Sequence, residues 1–160
     1  MKRKDLEILI QKINVDLFAF AYGLIPDERQ SSNLVTDAIT AMTMDRRILL
    51  ENLLDAQEER EKRVALFAIK KVLYRTIYEL ASNRYNHLRS RIQVPDDLTA
   101  FNGLSLEQKS ALLLKRRTNF DMNDIQDILG ISKVELISLL SSARQLLAIR
   151  TGVDSRGILA

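Results

Sequence analysis

The sequence has no cysteine, no tryptophan, a single histidine and only two prolines in 160 residues. Without thiols, a disulfide framework and a cysteine nucleophile are excluded. With His87 alone, the usual Cys/His zinc sites cannot be assembled. The lack of cysteine fits a reducing compartment. No apolar run approaches the roughly 20 residues needed to cross a bilayer, so no membrane association is expected. Met1 to Lys12 mixes charges among its apolar residues and has no signal-peptide core, so the expected location is cytoplasmic. No glycine loop that would cradle a phosphate is present, nor a carboxylate–histidine cluster or nucleophile signature. The reading is therefore not an enzyme, with no catalytic residue, metal site or cofactor expected.

What is present is apolar (46%) and rich in helix-forming residues, with only five glycines to interrupt it. Leu6, Leu9, Ile10, Ile13, Leu17 and Phe20 recur at spacings of three and four, predicting a helix over about 3–22 that ends at Gly23 and Pro26. Asp27 is placed to cap a second helix, whose inner face holds Leu34, Val35, Ala38, Ile39 and Met42. A third is expected over 45–57, followed by a solvated charged run, Glu58–Lys62. From Lys62 to Arg91 neither glycine nor proline intervenes. This predicts one long helix, with a break expected near Ser82–Asn83. It carries a core stripe of Leu66, Ile69, Leu73, Ile77 and Leu80, and a second stripe of Phe67, Tyr74, Tyr78 and Tyr85. Residues 93–103 contain Pro95, Asp96, Asp97 and Gly103 and read as a linker. Helices over about 105–117, 122–129 and 133–149 follow, and the tail after Thr151 is expected to fray. The expected fold class is all-α: two small helical domains, 1–92 and 104–150, joined by the linker 93–103 and followed by a tail, 151–160.

Net charge is only +3, but it is unevenly placed. Residues 1–61 hold 8 basic and 12 acidic side chains, whereas residues 62–91 hold 8 basic and 1 acidic. One helix-length block thus carries the positive field, the footprint of a polyanion contact or of a solvated helix face. Tyr74 and Tyr78 are four apart, beside Lys70, Lys71 and Arg75, and Arg84, Tyr85, Arg89 and Arg91 extend the surface. Aromatic rings can stack on unpaired bases while cations neutralise phosphates. The same tyrosines serve equally as core-edge residues with wet hydroxyls. His87 has no evident partner and reads as a helix-face residue.

The strongest local signal lies near the C-terminus. Gly130 can take the left-handed conformation that stops a helix. Ser132 can cap the next one, with Glu135 at its third position completing a capping box. Asp121 with Asp124, and Ser105 with Gln108, repeat that logic upstream. Two short helices joined by a glycine-containing turn give the layout of a helix-turn-helix or an ordinary three-helix mini-domain.

The stretch Leu104-Ser105-Leu106-Glu107-Gln108-Lys109, the turn Ile125-Gln126-Asp127-Ile128-Leu129-Gly130-Ile131-Ser132 and the end Ala143-Arg144-Gln145-Leu146-Leu147 resemble the promoter-reading domain of bacterial sigma factors, nearest the extracytoplasmic-function type. The likeness covers about 45 residues. More loosely, Phe18–Asp27 resembles the first helix and turn of that family's N-terminal domain. Ser31-Ser32-Asn33-Leu34-Val35-Thr36-Asp37-Ala38 falls where the family grips core RNA polymerase, and Leu73–Arg91 falls on its downstream-promoter helix.

The resemblance implies a sigma-like initiation protein. It would bind core RNA polymerase through Asn33, Thr36 and Asp37. It would bind promoter DNA through Lys70, Lys71, Tyr74, Arg75, Tyr78, Arg84, Tyr85, Arg89 and Arg91 on the long helix, and through Lys133, Ser138, Ser142 and Arg144 on the last. An anti-sigma factor is a further partner it implies. The sequence departs from the pattern in places. Gln126 replaces a small alanine, Asn33 and Thr36 replace acidic and glutamine residues, and Ile137, Leu139 and Ser142 stand where the family sets cations. The 11-residue connector reaches about 35–40 Å at most and can keep the domains packed together. These departures leave open a sigma mimic or adaptor that binds an anti-sigma factor or polymerase without reading promoters.

Overall fold

The computed structural model describes residues 3–150, with side chains described from 8 to 96 and from 98 to 149. The expected frayed tail, 151–160, lies outside the described residues. Eight α-helices and one 3-10 turn make up the described chain, with no strand among these residues.

Helix α1 spans Arg3–Leu24 and buries Ile13, Leu17 and Phe20 of the stripe read from its periodicity, together with Leu24, while Ile10 of that stripe is exposed. It runs through Gly23 instead of ending there, because the bare face of that glycine lies against Leu113. A Cβ at Gly23 would come within 2.6 Å of the Leu113 Cδ1. Helix α2, Glu28–Asp45, is capped by Asp27, which accepts from the Gln30 amide at 2.8 Å. The fully buried Ser31 donates its hydroxyl to the Ile25 carbonyl at 3.0 Å and the Asp27 carbonyl at 2.7 Å, satisfying two carbonyls of the turn. Helix α3 is Arg47–Asp55.

Helix α4, Glu59–Leu88, is 30 residues long and unbroken at Ser82–Asn83. It starts earlier than expected because Glu58 and Glu61 form a capping box, which turns most of the charged run into its first turn. Ile69, Leu73, Ile77 and Ala81 face the bundle of α1, α2 and α3.

The segment expected as a linker is largely helical. A 3-10 turn, Asp96–Leu98, leads into α5, Thr99–Asn102, and Phe101 packs against the core. Helices α6 (Leu106–Arg117), α7 (Met122–Leu129) and α8 (Lys133–Arg150) follow with the expected caps. Gly130 sits at φ 66° and ψ 37°. The Ser132 amide donates to the Glu135 carboxylate at 2.8 Å, and the Glu135 amide donates to the Ser132 hydroxyl at 3.2 Å.

The two halves share one continuous apolar core. Helix α6 packs on α1 and α7 packs on α4. Among the described residues no helix is long and apolar enough to cross a membrane, and no His/Cys/Asp/Glu group could hold a metal.

Candidate nucleic-acid interface

Two apolar stripes on α4 require two partners. The first faces the N-terminal bundle; the second is covered by the C-terminal half. Phe120, just before α7, meets Phe67 and Tyr74 edge to face at 5.4 Å between centroids in each case, and Tyr74 meets Phe20 at 5.0 Å. Tyr74 is only 6% exposed. Burial, with the Asp16 charge adding to it, pushes the Tyr74 phenol up to about 12. As a stacking face for bases, Tyr74 is out of reach in this arrangement, which corrects its sequence assignment. Spacing revealed its stripe but not which body covers it. Tyr78 is half-buried, and its phenol is raised by burial and by Glu107. Tyr85 is half-buried, with the Lys109 ammonium 5.2 Å from its ring centroid.

The cations of α4 are unevenly engaged. The Lys71 ammonium donates to Asp127 at 2.9 Å and lies 3.3 Å from Asp124, both on α7, and its pKa is raised chiefly by the Asp127 bond. Arg84 pairs with Asp37 of α2 at 2.6 Å, joining one expected nucleic-acid residue to one expected polymerase residue. Arg75 pairs with Glu79 at 2.9 Å on the open surface. Lys70, Arg89 and Arg91 make no ion pair among the described residues, and both arginines are exposed.

On α8, Lys133, Ser138 and Arg144 are exposed. Ser142 is not presented outward: its hydroxyl accepts from Gln108 at 3.0 Å and donates to the Leu139 carbonyl at 3.1 Å, so it ties α8 to α6. Val134 (77% exposed) and Ile137 (50%) share the outer face with the few cations. On α2, Asn33 and Thr36 are exposed and Asp37 partly so.

Lys109 escaped notice in the sequence. It is 1% exposed and donates to the Leu24 carbonyl at the end of α1 (2.5 Å) and to the Asn102 side-chain oxygen of α5 (3.1 Å). Burial alone lowers its pKa to about 8. Its signal was its position, three residues after Leu106 and three before Leu112, on the inward face of α6. The Lys71 contacts were not visible because Asp127 lies 56 residues away.

Over 94% of its length the chain superposes on a solved chain described as the sigma factor RpoE in complex with the anti-sigma factor NepR from Bartonella quintana. The match covers 99% of that chain, with a TM-score of 0.64 and 19% identity. The fold is that of a sigma factor. No protein-family model matches the sequence, and no curated protein matches it significantly. Within the sigma fold, the outer faces of α2 and α8 stay open, and the second face of α4 is shut by α7.

Proposed function

We propose that this chain is a sigma-like initiation protein that acts in the cytoplasm with core RNA polymerase and promoter DNA. The observation that carries the reading is the sigma-factor fold extending over nearly the whole chain, both halves included. Helix α2 supplies the polymerase surface through Asn33, Thr36 and Asp37, all at least partly solvent-facing. Helix α4 supplies Lys70, Arg75, Arg89 and Arg91 to phosphates, with Tyr78 and Tyr85 at the edge of that surface. The tight turn at Gly130 sets α7 and α8 as a helix-turn-helix, from which Lys133, Ser138 and Arg144 reach duplex DNA.

Exposed Val134 and Ile137 on α8 favour a second reading, because an apolar helix face more often meets protein than a DNA groove. In that reading the chain is a sigma mimic or adaptor that engages polymerase or an anti-sigma factor.

The test titrates labelled protein with purified core polymerase, then titrates the complex with labelled promoter fragments at stated salt. The first reading expects saturable core binding, weakened about tenfold by Asn33→Lys with Thr36→Lys through buried-rim charge and bulk, and promoter binding by the complex. Core binding without promoter binding favours the adaptor; no core binding at all rejects both polymerase readings.

A further inference from the structure

Carboxylates of α7 hold a cation that sits in the basic block of α4. Lys71 meets two of them, Asp127 at 2.9 Å and Asp124 at 3.3 Å; the Lys71 and Asp124 side chains are partly enclosed and that of Asp127 is exposed. Beside this ion pair, Phe120 is wedged against Phe67 and Tyr74. Asp124 and Asp127 are three apart on a single turn of α7, so both point to the same neighbour. The acidic pair occupies the position on Lys71 that a nucleic-acid phosphate would need, with similar charge and acceptor geometry.

We propose that α7 is an intramolecular latch: Asp124 and Asp127 clamp Lys71 and hold the C-terminal half shut over α4, so that polyanion binding must compete with the chain's own carboxylates. The competition rests on the nucleic-acid reading given above; the latch itself does not.

The contacts around the latch differ in kind. The aromatic wedge is apolar and insensitive to salt, whereas the Lys71 clamp is partly solvent-exposed and weakens with ionic strength. Lys109 works against closure. It is an ammonium buried between α6, α1 and α5, and among the described residues it is held by a carbonyl and an amide oxygen and by no carboxylate. Opening returns that charge to water, so the closed state is held against a standing desolvation cost. The Lys71 clamp is the salt-sensitive contact added to the apolar core the halves share, so a competing polyanion shifts the balance between closed and open states.

The absence of cysteine allows specific double labelling of the full chain at Asn83→Cys on α4 and Ser141→Cys on α8, both exposed. Interprobe distances are then read by pulsed electron resonance or single-molecule transfer. The unsubstituted latch gives one short distance that acquires a longer population as salt rises. Asp124→Asn with Asp127→Asn, which keeps the size and the cap acceptor, increases the open population about fivefold, the change expected from a lost part-exposed ion pair. Lys71→Glu combined with Asp124→Asn and Asp127→Lys restores closure. Distances unchanged by salt and by the double substitution, with helical content intact, overturn the latch. If the opened variant binds a single-stranded oligonucleotide more tightly, both ideas are supported. If it opens and still ignores nucleic acid, the latch stands and the nucleic-acid reading falls.

Discussion

At the scale of single residues, Lys109 and Tyr74 carry opposite pH signatures. The ammonium of Lys109 is lowered by burial to about 8, from its ordinary 10.5, so the unfolded chain holds the proton more tightly. Below about pH 8 both states are protonated, and the folded state bears the whole cost, on the order of 3 kcal/mol. Between about pH 8 and 10.5 the folded chain sheds the proton first, and stability rises. Tyr74 is raised to about 12, so above pH 10 the unfolded chain ionises first and stability falls again. Thermal melts should therefore show Tm rising from pH 7.5 to 9.5, and Lys109→Met should flatten that rise; a parallel rise in the variant would assign it to other groups. Tyr74→Ala should cost about 3 kcal/mol in urea unfolding, the loss of a large ring from a packed core. Tyr74→Phe should cost much less, since the ring packing is kept.

At the scale of elements, the turn between α7 and α8 is a backbone requirement. A Cβ at Gly130 would meet nothing within 4 Å, so Gly130→Ala tests the left-handed conformation alone and should cost about 1 kcal/mol. Ser132→Ala removes one half of the capping box at the start of α8 and should cost about 1 kcal/mol as well. Differential scanning calorimetry on both variants checks these values. The cap at Asp27 and the capping boxes at Ser105, Asp121 and Ser132 were legible because a cap is local, complete within four residues. The helical connector was not: Leu98 and Phe101 gain their order from the bodies they touch, and a helix of four residues leaves no periodicity to read. Helix α4 shows the same division. Its two stripes were plain at spacings of three and four, but a stripe does not declare its partner, so Tyr74 read either as a stacking ring or as a core-edge residue, and the structure buries it in the seam. Lys71 read as a phosphate contact, Asp124 as a capping residue and Asp127 as part of the turn motif, because their meeting depends on how the halves dock.

At the scale of the whole molecule, the concentrated charge of residues 62–91 is moderated by the fold. Lys71, Arg75 and Arg84 are each met by carboxylates, leaving Lys70, Arg89 and Arg91 on α4 and Lys133 and Arg144 on α8 as the cations of the expected set without an ion pair among the described residues. Nucleic-acid binding by the closed chain should therefore be weakened, with a salt dependence near the slope for about five phosphates. A slope near that for eight would mean that the internal pairs are already broken in solution. The chain keeps a sigma-factor fold at 19% identity to the solved chain it superposes on. The proposed function rests on what its exposed faces engage. Run-off transcription with purified core polymerase over a pool of promoters, at fixed salt, tests this most directly. The account expects discrete transcripts that depend on this chain and are lost with Lys133→Ala and Arg144→Ala combined; tight core binding that yields no promoter-dependent transcript would contradict it.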